Sequence, residues 1–213
     1  MSLLHKTEPT PTPLPPLDCP DLESIQKFLA AAQGAGLDPA PCLDWAIHVL
    51  LNSLMADSAS RMFLPKTETS PFHVEDLFPF SAVKPAGRQV VELAHSFVVA
   101  PIWNNAEALS AMEEVRGGKP LQAAHGQAAG WYIQELNLAV IGGQVHRAYF
   151  SRFYGQGSAL LNLYHLKSLA EHVSTDGENW YVKEQDGSET WCPVLVPRMA
   201  VLYELALKRH FDR

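Results

Sequence analysis

The chain has 213 residues, 47% hydrophobic and 18% charged, with 16 basic against 23 acidic side chains and a formal net charge of -7. That length and apolar content suit one folded domain with a sizeable core, and the composition excludes wholesale disorder. The acidic balance counts against a phosphate backbone as the main partner, so nucleic-acid binding is disfavoured.

The chain opens MSLLHKTEPTPTPLPPLDCP. It lacks the long apolar core of a signal peptide. Alternating proline and threonine predict a stiff extended tail over residues 1–20. Such a tail is an exposed leader, or a strap laid across a partner or across its own domain. Residues 21–213 then form a single domain. Cys19, Cys42 and Cys192 lie far apart without CxxC spacing, which points to a reducing compartment. The apolar run Leu136–Val145 is broken by Asn137, Gly142 and Gly143 and is too short to span a bilayer. The expected location is the cytoplasm, without membrane insertion.

A first helix is expected over 20–33, with Leu22, Ile25, Phe28 and Leu29 at helical spacing. Gly34 and Gly36 end it. Asp38 as cap and Pro39 at the first helical position predict a second helix to about residue 62. Its apolar face carries Leu43, Ile47, Leu50, Leu51 and Leu54. Residues 63–84 read as a long loop, with Ser70-Pro71 capping one helical turn and Phe72, Phe78 and Phe80 anchoring the loop to the core. Helices are expected over 86–99 and 101–116, interrupted at Pro101.

The segment 120–152 is apolar on more than one face, which predicts a central helix surrounded by others. Leu138, Ile141 and Val145 should be buried on it, with Gly142 at a close helix approach. Ser158 is expected to cap a helix over 158–173. Trp180–Glu184 and Glu189–Cys192 flank Asp186-Gly187, a hairpin signal over 180–192. Two central turn residues would place Val182 opposite Trp191 and Glu184 opposite Glu189. Pro197 opens a terminal helix. The expected fold is therefore mainly α, an irregular helical bundle with a small C-terminal β-hairpin. Trp103, Trp131, Trp180 and Trp191 are expected as core or interface anchors.

No nucleotide-binding, zinc-protease or nucleophile-elbow motif occurs. Glu92 and His95 stand three apart, the spacing by which helical bundles supply two metal ligands. A second Glu-x-x-His is missing, which argues against a ferritin-type centre. Glu135, in the most apolar segment, needs a partner or a polar cavity. On one straight helix it would lie roughly 16 Å from His146, so those two cannot share a metal. The candidate metal set is Glu92, His95, Glu135 and His165, for iron or manganese. Arg147, Tyr149, Arg152 and Tyr154 form a candidate surface for an anionic aromatic ligand or a partner, or hold two helices together.

These features point first to a cytoplasmic protein-binding or complex-assembly subunit, acting with a protein partner or a second copy of itself. The alternative is a helical-bundle metalloenzyme acting on a small aromatic or anionic substrate.

Overall fold

The computed structural model describes residues 22–60, 76–102, 104–123, 129–183 and 187–211. The tail, Ser70-Pro71, Phe72 and Trp103 lie outside the described residues.

Helix α1 (Leu22–Gly34) and helix α2 (Pro39–Ser60) form where the sequence predicts them. Asp38 Oδ1 accepts the Ala40 N–H at 3.0 Å, and Pro39 occupies a position whose N–H would have no intrahelical partner. Between the two helices Gly36 takes φ +76°, a conformation that costs glycine nothing. Helix α2 buries Leu43, Ile47, Leu50, Leu51 and Leu54. The terminal helix α6 (Pro197–Phe211) opens at Pro197 and packs on α2. The two are tied by Arg209 to Asp44 (2.7 and 3.2 Å) and by Arg198 to Asp57.

Between α2 and α6 the helical-bundle expectation fails. Eight strands among the described residues build two sheets. The larger contains β1 (Gly87–Glu92), β2 (Phe97–Val99), β3 (Gly130–Ile133), β4 (Leu138–Ile141) and β5 (Ser158–Tyr164), in the order β1-β5-β3-β4-β2. β1 runs antiparallel to β5, and β3 antiparallel to β4. β3 lies parallel to β5, and β2 parallel to β4. The protein is mixed α and β, and the all-α reading is overturned.

The physical reason is specific. Segment 120–152 is apolar all round, as a helix inside a bundle would be, but a strand covered on both faces needs the same composition. All four residues of β4 are fully buried. Asn137 (φ 48°) and Gln144 (φ 53°) adopt left-handed backbone, which breaks a continuous helix at two places. Leu138, Ile141 and Val145 are buried as expected, Val145 from the start of helix α4 (Val145–Phe153). Gly142 is exposed and follows β4 rather than lying on a helix, so the helix–helix approach expected there is replaced by the end of a strand. In segment 86–99 the β-branched residues Val90, Val91, Val98 and Val99 suit strands better than a helix. A 3-10 turn, Leu93–His95, separates β1 from β2.

Helix α3 (Asn105–Arg116) lies inside the expected 101–116 element. Asn104 caps it by accepting from Ala106 N (3.0 Å) and Glu107 N (3.4 Å). The expected helix 158–173 is divided between β5 and helix α5 (Leu166–His172). Ser158 does not cap a helix; its N–H donates to Leu121 O, and its hydroxyl oxygen accepts from Ala123 N.

The smaller sheet contains β6 (Val173–Thr175), β7 (Asn179–Lys183) and β8 (Glu189–Pro193) in antiparallel order. The hairpin is where the sequence places it, with a different register. Tyr181 faces Trp191, Val182 faces Thr190, and Lys183 faces Glu189. A one-residue shift exchanges the two faces of a strand. The observed register keeps Trp180 and Val182 buried, leaves Trp191 outside at 68% exposure, and sets a lysine opposite Glu189. Trp191 is therefore not a core anchor.

Phe78 and Phe80 join the layers. Phe78 packs within 4.9 Å of the Trp180 ring and 5.2 Å of Tyr203 on α6, by ring centroids. Phe80 stacks on Trp131 of β3 at 5.3 Å and 11°. Among the described residues no helix is long and apolar enough to cross a membrane.

Candidate functional site

The four proposed metal ligands fall at two ends of the larger sheet. Glu92 ends β1 opposite Ser158, the first residue of β5. His95 closes the following 3-10 turn, and both side chains are exposed. Ile133 pairs with Tyr164, the last residue of β5, so Glu135 and His165 emerge beyond the opposite end. The seven residues of β5 separate the two pairs by roughly 20 Å at strand rise. No single ion can be shared by all four. Among the described residues no group of three or more His, Cys, Asp or Glu side chains is placed to hold a metal. The iron or manganese centre depended on a helix at 86–99, and that segment is strand and turn.

Glu135 and His165 do come together. Because β3 and β5 are parallel neighbours, the segments leaving them emerge side by side. Glu135 lies in a 3-10 turn after β3, and His165 precedes α5. Glu135 Oε2 accepts the Leu166 N–H at 3.0 Å, while Oε1 lies 3.3 Å from His165 Nδ1. The side chains are 24% and 39% exposed. An imidazole that donates from Nδ1 to this carboxylate keeps a lone pair on Nε2. The pair lines a cleft of about 530 Å³ with Lys167, Ser168 and Glu171 of α5 and with His210 and Phe211 of α6. Such a cleft can hold a small polar molecule, and the dyad can take up and return a proton. Nearby, burial and then the Glu135 charge raise the Tyr132 phenol above its ordinary pKa.

The structure holds a second carboxylate–histidine contact, of which the sequence pattern gives no sign. His146 of α4 is buried, with Nδ1 3.4 Å from Glu107 Oε2 of α3. Burial lowers its pKa, and the Glu107 charge opposes that shift. The sequence does hold both residues, but the contact depends on α3 and α4 packing together, which the single-helix reading of 120–152 hides.

Arg147, Tyr149, Arg152 and Tyr154 serve mainly as joints between elements. Arg147 binds Glu114 of α3 and lies 3.3 Å from Gln144 Oε1. Arg152 Nε donates to Ser96 O at 2.8 Å. Tyr149 and Tyr154 pack against the small core formed by α3 and α4. A groove of about 280 Å³ brings Tyr149 and Arg152 together with Phe153, Asn52 and Met55. Arg147 lines a different pocket, with Glu107, Glu114 and His146, so the four residues do not surround one ligand.

The other notable surface is apolar. A groove of about 270 Å³ between α1 and α2 is lined by Ser24, Ile25, Phe28, Trp45, Ala46, Val49 and Leu50. Phe28, Trp45 and Val49 remain 42%, 57% and 41% exposed. The Phe28 and Trp45 rings meet at 5.3 Å with a 43° tilt. Helical periodicity identifies the buried stripe of α2, but it gives no sign that the flank carrying Trp45 and Val49 stays open.

No curated protein and no solved structure matches the chain. The model of a family of unknown function, DUF6710, matches residues 27–210, and the chain belongs to that family.

Proposed function

We propose that this chain is a cytoplasmic protein-binding or complex-assembly subunit whose docking surface is the α1–α2 groove. The observation that carries the reading is the contiguous exposure of Phe28, Trp45 and Val49 around an uncharged groove. Isolated surface apolar residues are ordinary, whereas a patch organised around an aromatic pair is the usual form of an interaction site. Cys19, Cys42 and Cys192 lie far apart in the sequence without CxxC spacing, which favours a reducing compartment. The partner would present an apolar, extended segment.

The test is cross-linking through a photoreactive residue at position 49, which leaves Trp45 in place, followed by purification of the captured partner and titration. Trp45→Ala should weaken that partner at least about tenfold, as loss of an aromatic hot spot does. Unchanged affinity in Trp45→Ala and Phe28→Ser would defeat the proposal.

A second reading rests on the Glu135–His165 dyad in its cleft. There the chain would bind a small polar molecule, with His165 carrying a proton and Glu135 holding the ring. Native mass spectrometry of the purified protein tests it: a retained small molecule should be lost in His165→Ala. A small molecule retained equally by that variant would place the binding elsewhere.

A further inference from the structure

We infer that β1 is an edge through which two copies of this chain pair. The two β1 strands run antiparallel about a two-fold axis at Val90 and join the two larger sheets into one. This surface is separate from the α1–α2 groove, and the inference does not depend on what the groove binds.

Backbone direction is the first argument. β1 ends the larger sheet, with β5 on one side and, among the described residues, no strand on the other. In an antiparallel pair, alternate residues turn both N–H and C=O toward the neighbour, and the residues between them turn both away. Leu93 continues the register of β1 on β5, and its N–H donates to Gly157 O at 3.0 Å. The alternation then turns Val91 and Gln89 toward β5, and Arg88, Val90 and Glu92 outward. The far side of β5 agrees. Leu160, the residue opposite Val90, accepts the Ala129 N–H at 2.8 Å just ahead of β3, so its carbonyl points away from β1. One outward carbonyl is already engaged: Glu92 O accepts the Ser96 hydroxyl at 2.9 Å, which leaves it a second lone pair.

Self-complementarity is the second. With Val90 opposite Val90 of a second copy, Arg88 stands opposite that copy's Glu92, and the outward groups meet in phase. Each Val90 N–H donates to the other Val90 carbonyl, and each Glu92 N–H donates to the carbonyl of the other copy's Arg88. Arg88, Val90 and Glu92 share one face of the strand and all are exposed, Val90 at 54%. A β-branched pair therefore meets at the axis, with an opposite-charge pair on either side, and both kinds of cross-strand pair favour a ribbon. The register is specified. A slip of one residue sets outward backbone groups against inward ones, and a slip of two sets a charged side chain opposite Val90. Edge strands that must stay single are kept short or carry proline or lysine. β1 has six residues, GRQVVE, with neither, whereas the opposite edge, β2, has three. Strand addition of this kind draws its affinity from main-chain hydrogen bonds.

The test follows self-association of the full chain by sedimentation velocity from about 1 μM to about 1 mM, the span in which a small interface saturates. The parent should pass from monomer to dimer. Arg88→Glu and Glu92→Arg should each weaken the dimer at least about tenfold, because both symmetry-related pairs become like-charged. Mixed in equal amounts, the two variants should associate with each other as the parent does with itself, because every cross-strand pair is again of opposite charge. Both positions are exposed, so the variants are expected to fold, which circular dichroism checks. Amide exchange in the parent needs no variant. The Val90 N–H should be protected in concentrated protein and exchange in dilute protein, while the Val91 N–H stays protected in both. A parent that remains monomeric over the whole range would overturn the inference. So would a dimer that neither charge reversal weakens, or one in which the Val90 N–H exchanges freely. A dimer dissolved by Trp45→Ala and not by the reversals would assign self-association to the α1–α2 groove and overturn the pairing at β1.

Discussion

The Phe78 and Trp180 rings meet edge to face, with centroids 4.9 Å apart and planes at 65°. Phe78 also lies against Phe80 and Tyr203, so one side chain touches the chain entering β1, the smaller sheet and α6. Phe78 is fully buried. Phe78→Ala should therefore cost about 3–5 kcal/mol, the range for emptying a buried phenylalanine site. Urea unfolding followed by far-ultraviolet circular dichroism would measure it. A loss below 1 kcal/mol would mean that the three elements are held together by other contacts.

Much of the periphery was legible in the sequence. Asp38-Pro39, Pro197 and the apolar stripe of α2 carry local signals that tertiary packing did not override, and Phe78 and Phe80 are buried as their place in an aromatic loop implies. The centre was not legible. An apolar stretch such as Leu138–Ile141 is compatible with a buried helix and with a strand covered on both faces. Only its pairing with β3 and β2 decides between them, and that pairing is non-local. Glu135 and His165 stand together in the candidate metal set of the sequence, but for a helical reason that does not hold. What brings the two together is the parallel neighbourhood of β3 and β5. Glu92 and His95 were separated from them by the same topology.

Gly130 offers a test of that topology. A Cβ placed there would lie 2.0 Å from Val140 O and 3.1 Å from Ile141 Cα. Both contacts are backbone, so no flexible side chain can move aside. Gly130→Ala should push β3 from β4 and destabilise by about 1–3 kcal/mol. In a central helix the same change would stabilise, because alanine is the better helix former. The sign of the change in denaturation midpoint therefore tells sheet from helix.

Asp176 governs the turn between β6 and β7. Its Oδ2 accepts the Tyr181 hydroxyl at 2.7 Å, and Oδ1 accepts Asn179 N at 2.7 Å and Glu178 N at 2.9 Å. The Tyr181 bond first, then the two backbone bonds, lower the carboxyl pKa from 3.8 to about 2. A folded pKa below the unfolded one stabilises fully above the unfolded value. That contribution fades as pH falls from about 4 toward 2. A carboxyl carbon titration by nuclear magnetic resonance should give a midpoint near 2, and Tyr181→Phe should move it upward. A midpoint at the ordinary value in the parent protein would show that the turn is open in solution.

Glu135 separates a structural role from a chemical one. Its Oε2 is the acceptor for the N–H of Leu166, a fully buried residue at the start of α5. Glu135→Ala removes that acceptor and leaves the amide to find water or go unpaired, a loss of about 1–3 kcal/mol. Glu135→Gln retains an oxygen of similar reach, so it should lose less, while removing the charge that faces His165 Nδ1. If Glu135 only anchors α5, the glutamine variant should resemble the parent both in urea midpoint and in the tautomer of His165. If it also holds the ring with Nδ1–H toward the carboxylate, the glutamine variant should stay folded while the Nδ1–H tautomer loses its preference. Nitrogen chemical shifts of the imidazole read this directly. The same tautomer in the parent and Glu135→Gln proteins would show that the 3.3 Å contact does not orient the ring, and the proton-carrying reading of the cleft would fall with it.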